Sequence, residues 1–219
     1  MKRSVYILFL CIAALAATGC STTKRIPEGE YLYTGVRKIT IEADSSKKVP
    51  SSVESAVKDP LSVKPNNPLY SPYIRTPIPT GLWAWNYLYT ERKTGLKAWL
   101  FRRLAKEPVL VSKVQPQLRT SLVEDILDNH GYFGSSASYE IIDQNNPKKK
   151  RISYRVHVAE PWFLRDVEYP SVQGPVTKRI GELQATSNIR EGAQYNIDTM
   201  TRERVRITNI CLLYTTLSP

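Results

Sequence analysis

The chain's 219 residues suffice for one domain or two small ones, and 31 Lys and Arg against 20 Asp and Glu leave it at +11, so a basic partner-binding surface has to be considered. With 42% apolar residues, 13 Tyr, 4 Trp and 4 Phe, it can bury a core and is neither disordered nor collagenous. Three Cys and two His (His130 and His157) are too few for a zinc ribbon, an iron–sulfur cluster or a disulfide scaffold, so no metal and no cofactor is expected.

Lys2 and Arg3 precede a charge-free run from Val5 to Ala17, and Ala17-Thr18-Gly19-Cys20 closes it: the charged, apolar and small-residue parts of an export signal, in order. The run is shorter than the roughly twenty residues that a membrane-crossing helix requires. Cys20 after small residues resembles a bacterial lipobox, which implies cleavage before Cys20 and acylation; the alternative is a cysteine that happens to follow an ordinary cleavage site. Acyl chains contribute about 0.8 kcal/mol per buried methylene, so several of them anchor a protein stably. Ser21, rather than Asp, in the next position points to the outer membrane of a two-membrane bacterium. The expected layout is a signal peptide over 1–19 and a lipidated polar tether over 20–30, with a mature charge of +9 after loss of Lys2 and Arg3.

Tyr31 to Glu42 alternates as a half-buried strand does, with Val36, Ile39 and Ile41 among Thr and Lys. Pro50 to Asp59 predicts a helix with Val53, Ala56 and Val57 on one face and Pro60 as its stop. Six of the fifteen prolines fall between Pro60 and Pro79, which predicts an extended connector. Leu82 to Lys106 carries Trp83, Trp85, Tyr87, Tyr89, Trp99 and Phe101 and reads as two short helices broken at Gly95, the second with Leu96, Trp99, Leu100 and Arg103 on one face. Residues 113–133 read as one longer helix, with Leu118, Leu122, Ile126 and Leu127 on one face, Glu124, Asp125 and Asp128 on the other, and Gly131 placed as its C′ residue. Ala137, Tyr139 and Ile141 then alternate with polar residues. After a polar turn from Asp143 to Lys150, so do Ile152, Tyr154, Val156 and Val158, which predicts an antiparallel hairpin. The fold class is α+β, with helices covering one face of a three-stranded sheet.

The order starts again after Ala159-Glu160-Pro161. Phe163 to Tyr169 reads as a strand, Pro175 to Leu183 as a helix, Glu191-Gly192 as a turn, and Asp198 to Ile210 as a helix capped by Asp198. The closing hairpin of this second copy is missing. Residues 211–219 are uncharged and largely apolar, and Cys211-Leu212-Leu213-Tyr214-Thr215 resembles the translation of a transposon adapter. Native sequence is therefore expected to end near Ile210, with the gene continuing; the alternative is a short C-terminal strand.

A β-α-α-β-β unit with Gly131-Tyr132-Phe133 after its second helix, and Glu160-Pro161-Trp162-Phe163-Leu164 leading into the next unit, resembles POTRA domains, the polypeptide-transport-associated modules of outer-membrane assembly proteins. Cys20-Ser21-Thr22-Thr23-Lys24, Pro27-Glu28-Gly29-Glu30-Tyr31-Leu32, Gly81-Leu82-Trp83 and Glu107-Pro108-Val109 are similar, in this order, to lipoproteins of the translocation and assembly module in the BamA/TamA superfamily. The resemblance covers 1–210. It implies a POTRA-like unit over 31–160 with a Trp-rich helical insertion at about 60–110, then a second, truncated POTRA-like unit over 161–210. Superfamily members end in a membrane β-barrel, and the resemblance concerns only the region before it. It further implies a lipid-anchored, periplasm-facing protein of the outer membrane that takes part in outer-membrane protein translocation, insertion and assembly. Its partners would be unfolded outer-membrane protein clients or a TamB-like protein.

A strand at a sheet edge offers unpaired backbone N–H and C=O groups to an extended client, a form of recognition tolerant of client sequence. Ser135, Ser136, Ala137, Ser138, Tyr139, Glu140, Ile141 and Ile142 form the expected edge, and a proline at Ser138 is expected to block pairing there; a cover provided by the insertion is the alternative. The basic, aromatic stretch offers a second surface. Trp83, Trp85, Lys97, Trp99, Arg102 and Arg103, with Arg92, Lys93 and Lys106 around them, could seat a membrane-apposed structural lipoprotein on an anionic bilayer, or the aromatics could pack the insertion onto the first unit. The same pattern suits nucleic acid, but the export signal argues against that, so no nucleic-acid partner is expected. Nor is an enzyme expected: neither His130 nor His157 has a nucleophile near it in sequence, Asp125 and Asp128 read as a solvated helix face, and no phosphate-binding loop is present.

Overall fold

A computed structural model describes residues 21–44, 48–67, 73, 79–169 and 174–217, with 213–217 described by their backbone alone. The expected signal peptide over 1–19, Cys20 and half of the proline-rich connector lie outside these residues. The elements in chain order are β1 (Leu32–Ala43), α1 (Ser51–Leu61), α2 (Thr80–Leu88), α3 (Leu96–Leu104), α4 (Val111–Val114), α5 (Pro116–Asn129), β2 (Ser136–Asp143), β3 (Lys149–Val158), α6 (Pro175–Glu182), a 3-10 turn at Gln184–Thr186, and α7 (Ile197–Leu217). The chain is α+β, with one three-stranded sheet in the order β1-β3-β2 among the described residues. No helix among them is long and apolar enough to cross a membrane.

Sheet register follows from a few bonds. Leu32 N–H donates to Lys148 O at 2.8 Å and Thr34 Oγ1 to Lys150 O at 3.0 Å, so β1 and β3 advance in the same direction, a parallel pairing that requires the long helical crossover between them. β2 returns to β3 through a short turn and pairs antiparallel to it. Along β3, Ile152, Tyr154, Val156 and Val158 are buried while Arg155 is exposed, the two-residue period of a strand with one covered face. β1 keeps no such period at its start: Leu32 to Val36 are buried one after another.

The described residues form two compact units, and β1, α1, α5, β2 and β3 each pass from one to the other. The first draws on the described residues within 21–39, 61–119 and 139–154, and its interior includes Leu32, Tyr33, Leu82, Val114, Ile152 and Tyr154. Gly95, at φ +102, breaks the chain between α2 and α3, and the two helices pack together as a hairpin. The second unit draws on Thr40–Pro60, Thr120–Ser138 and Arg155–Pro219, with Val53, Val57, Val123, Leu127, Val156 and Val158 inside. Trp162 N–H donates to Gly131 O at 2.8 Å, Tyr195 N–H to Trp162 O at 2.9 Å, and Leu164 N–H to Ala193 O at 2.8 Å. The Phe133 ring packs against Trp162 and Tyr195, with centroids 5.3 and 5.1 Å away.

Several expectations are corrected. Pro60 does not stop α1 but occupies its penultimate position, where the fixed φ of proline is already helical and only one backbone donor is forfeited. On α5 the buried stripe is Thr120, Val123 and Leu127, whereas Leu118 and Leu122 are 62% and 45% exposed. Gln115, at φ +50, separates α4 from α5 and so sets the helix phase. Phe163 to Tyr169 forms no strand, only a single bridge from Phe163 to Gln194. Asn196, not Asp198, caps α7, its Oδ1 accepting from Asp198 and Thr199 N–H at 2.9 and 3.3 Å. The C-terminal residues through Leu217 continue α7 rather than forming a strand.

Candidate functional site

The two edges of the sheet differ. Beside β1, Tyr33 N–H donates to Val109 O at 2.8 Å, Val111 N–H donates to Tyr31 O at 2.9 Å, and Leu32 and Leu110 form an antiparallel bridge. Buried Asn66 holds that segment in place, its Nδ2 donating to Glu107 O at 2.8 Å and its Oδ1 accepting from Val109 N–H at 2.7 Å. The end of the insertion thus covers the start of β1.

β2 stands at the other end of the sheet order. Its start is fixed by Ser135, whose Oγ donates to Tyr132 O at 2.6 Å and accepts from Ala159 N–H at 3.0 Å. Ser136, Ser138, Glu140 and Ile141 are exposed, while Ala137, Tyr139 and Ile142 are half-buried. Ala137 N–H donates to Glu124 Oε1 on α5 at 2.9 Å, so this amide points away from β3. Successive strand amides point to opposite sides, so those of Tyr139 and Ile141 share its direction and those of Ser138 and Glu140 face β3. A proline at Ser138 would therefore remove a donor facing β3, which corrects the sequence-based choice of that position; Ile141 is the outward donor with an exposed side chain. Glu124, which the sequence offered only as part of a polar helix face, occupies the first outward donor of the edge.

The second surface divides by residue. Trp85, Tyr89 and Phe101 pack on one another with centroid separations of 5.4 to 6.2 Å, and Trp83 is half-buried, so these aromatics hold the hairpin together. On α3 only Ala98 is buried; Leu96, Lys97, Trp99, Arg102, Arg103 and Leu104 are exposed.

Residues 21–30, expected as a polar tether, pack onto this hairpin. Thr22, Thr23 and Ile26 are buried, Ile26 against Leu32 and Leu82. Asn86, 4% exposed, is the clamp: its Oδ1 accepts from Arg25 N–H at 2.9 Å, its Nδ2 donates to Thr22 O at 3.2 Å, and its carbonyl accepts from Arg25 Nε at 3.2 Å. Ser21 N–H donates to Tyr87 Oη at 2.9 Å, and the Arg25 guanidinium lies 4.3 Å from the Tyr89 ring centre. The one sequence signal for this clamp is that Asn86 is the lone strongly polar residue in the run Leu82 to Tyr89.

Several titratable groups among the described residues take part in local structural contacts. His130 Nδ1 lies 2.7 Å from Ile126 O, and His157 Nε2 lies 3.0 Å from Asp44 Oδ2. Glu203, on α7, accepts from Arg206 Nη2 at 2.6 Å, Asn188 N–H at 2.8 Å and Ser187 Oγ at 3.0 Å; the Arg206 bond, reinforced by the others against burial, holds its carboxyl down to about 2. Burial pushes the Tyr154 hydroxyl up to about 12. An open cavity of about 560 Å³ at the β2–β3 turn is lined by Arg37, Gln144, Asn145, Asn146, Lys149 and Arg151, with Ile142 and Asp143.

No protein-family model matches the chain, and no curated protein matches it. Among solved structures it is similar to the crystal structure of Haemophilus influenzae BamA POTRA3-5, at a TM-score of 0.35 and 11% identity over 84% of this chain. The chain spans 56% of the length of that structure.

Proposed function

We propose that the chain is the periplasm-facing, N-terminal part of an outer-membrane lipoprotein of the TamL kind, within the BamA/TamA superfamily. In this reading it takes part in outer-membrane protein translocation, insertion and assembly, and it is not an enzyme. Cys20 carries the lipid, and β2 receives an extended segment of an unfolded outer-membrane protein client, or of a TamB-like partner, by strand addition. The motif order in the sequence supports the family. The observation that carries the mechanism is the asymmetry of the sheet, with β1 covered by Val109 to Val111 and β2 at the opposite end. Backbone pairing there asks little of client sequence, as a module serving many clients requires.

A photo-crosslinking residue at Glu140, with barrel precursors as clients, tests the edge. Ile141→Pro removes an outward donor and should abolish crosslinking while far-UV circular dichroism is unchanged. Undiminished crosslinking in the folded variant refutes strand addition at β2. Metabolic labelling with palmitate, lost in Cys20→Ala, tests the anchor separately.

A further inference from the structure

Two observations meet at the α2–α3 hairpin. One is the clamp on the N-terminal segment: Ser21 is bonded to Tyr87 and Arg25 to Asn86, with Thr22 and Thr23 buried between them. Consecutive Cα atoms lie about 3.8 Å apart, so a group carried by Cys20 starts one residue from Ser21, whose N–H meets the Tyr87 hydroxyl. The other is the outward face of α3, where Leu96 and Trp99 are 74% and 56% exposed and Lys97, Arg102 and Arg103 stand beside them. From Glu91 to Lys106 the sequence holds six cations and one acid.

We propose that the α2–α3 hairpin is a seat for an anionic bilayer surface, and that the Asn86 clamp brings the N-terminal lipid and this seat to the membrane together. The second half of the statement rests on the reading of Cys20 as the anchor point. A lipid on Cys20 leaves the hairpin no length of free chain by which to stand off from the bilayer. The face that meets the bilayer then has the composition the interface favours, with Trp and Leu at headgroup depth and Lys and Arg against anionic phosphates. The device also fixes orientation, because anchor and seat belong to one packed unit.

The experiment uses the chain from Cys20 onward with Cys211→Ser, so that Cys20 is its sole cysteine. Uncoupled protein should float with vesicles of phosphatidylglycerol and phosphatidylcholine and not with phosphatidylcholine alone. Each cation near an anionic surface is worth about five-fold in partitioning, so Arg102→Glu with Arg103→Glu should weaken flotation by at least ~25-fold. Equal flotation with both vesicle types, or none with either, overturns the seat. Protein coupled through Cys20 to a maleimide phospholipid in phosphatidylcholine vesicles, which the uncoupled protein does not bind, should lose tryptic cleavage after Arg102 and Arg103, whereas protein capped at Cys20 with N-ethylmaleimide is cleaved there. Asn86→Ala, coupled in the same way, should regain it. Arg25→Ala, which loosens the same clamp from an exposed position, replaces Asn86→Ala if that variant does not fold. Continued cleavage at Arg102 in the coupled parent chain, or protection unchanged in a folded clamp variant, overturns the concerted arrangement. Chemical coupling makes these outcomes independent of whether cells acylate Cys20, which palmitate labelling decides.

Discussion

Glu203→Gln removes a charge that is 3% exposed and ties the turn at Ser187 and Asn188 to α7. Its carboxyl lies at about 2 in the folded chain against 4.5 unperturbed, a difference worth about 3 kcal/mol of stability at neutral pH. Because the folded value is the lower one, this contribution is complete above the unfolded value and lost as pH falls toward 2, with about 2 kcal/mol gone by pH 3. The amide in Glu203→Gln cannot titrate and leaves the mostly buried Arg206 without its carboxylate, at a cost of about 2–4 kcal/mol at pH 7. Hydrogen exchange at the Asn188 and Ile189 amides, followed from pH 7 to pH 3, reads the local opening directly. The parent chain should lose protection across that range beyond the intrinsic pH dependence of exchange, whereas Glu203→Gln should start less protected and stay flat. Equal pH slopes in the two proteins refute the assignment of acid sensitivity to this carboxylate.

Glu124→Ala frees the Ala137 N–H; if this carboxylate competes with clients, crosslinking at Glu140 should rise, by up to about ten-fold for one charge-assisted bond of roughly 1.5 kcal/mol, and a fall would show that the bond supports the edge instead. The Tyr33 hydroxyl donates to Val63 O at 2.9 Å, whereas the Tyr154 hydroxyl is buried with no hydrogen-bond partner among the described residues. Urea unfolding should therefore show Tyr33→Phe costing about 1 kcal/mol and Tyr154→Phe costing nothing or stabilising slightly. Gly131 and Gly134 have similar positive φ of +84 and +82, but a Cβ on Gly131 would meet Tyr195 O at 2.6 Å while one on Gly134 meets nothing. Gly131→Ala should cost more than about 2 kcal/mol and Gly134→Ala about 1 kcal/mol by the same assay.

Strand and helix identity were legible where one signal dominated. Ile152 to Val158 alternates because one face of β3 is covered, and Gly95 announces the break between α2 and α3 because only glycine takes φ +102 easily. The face of α5 was not legible. Leu118 and Leu122 outweigh Thr120 on any hydrophobicity scale, yet helix phase is set by where Gln115 turns the chain, a tertiary choice. Burial of Thr22 and Thr23 was hidden for a related reason: short polar residues suggest a tether until a distant side chain, Asn86, satisfies the Thr22 carbonyl. The position of β2 in the sheet was anticipated from the hairpin, but the direction of its amides depended on Glu124, thirteen residues away, with nothing in the spacing to announce it.

The parallel pairing of β1 with β3 joins residues far apart along the chain: Thr34 reaches Lys150 across 116 positions. A strand that must wait for so late a partner cannot complete its sheet until Lys150 is available to pair with it. Closing a loop of that length is entropically slow relative to local helix formation, so α5 and the β2–β3 hairpin should form first and β1 dock last. Until then β1 is a half-apolar strand with open edges, as an extended segment of the proposed clients would be. A module that handles such strands would thus pass through a state resembling its own cargo, and its refolding should be slow and sensitive to protein concentration.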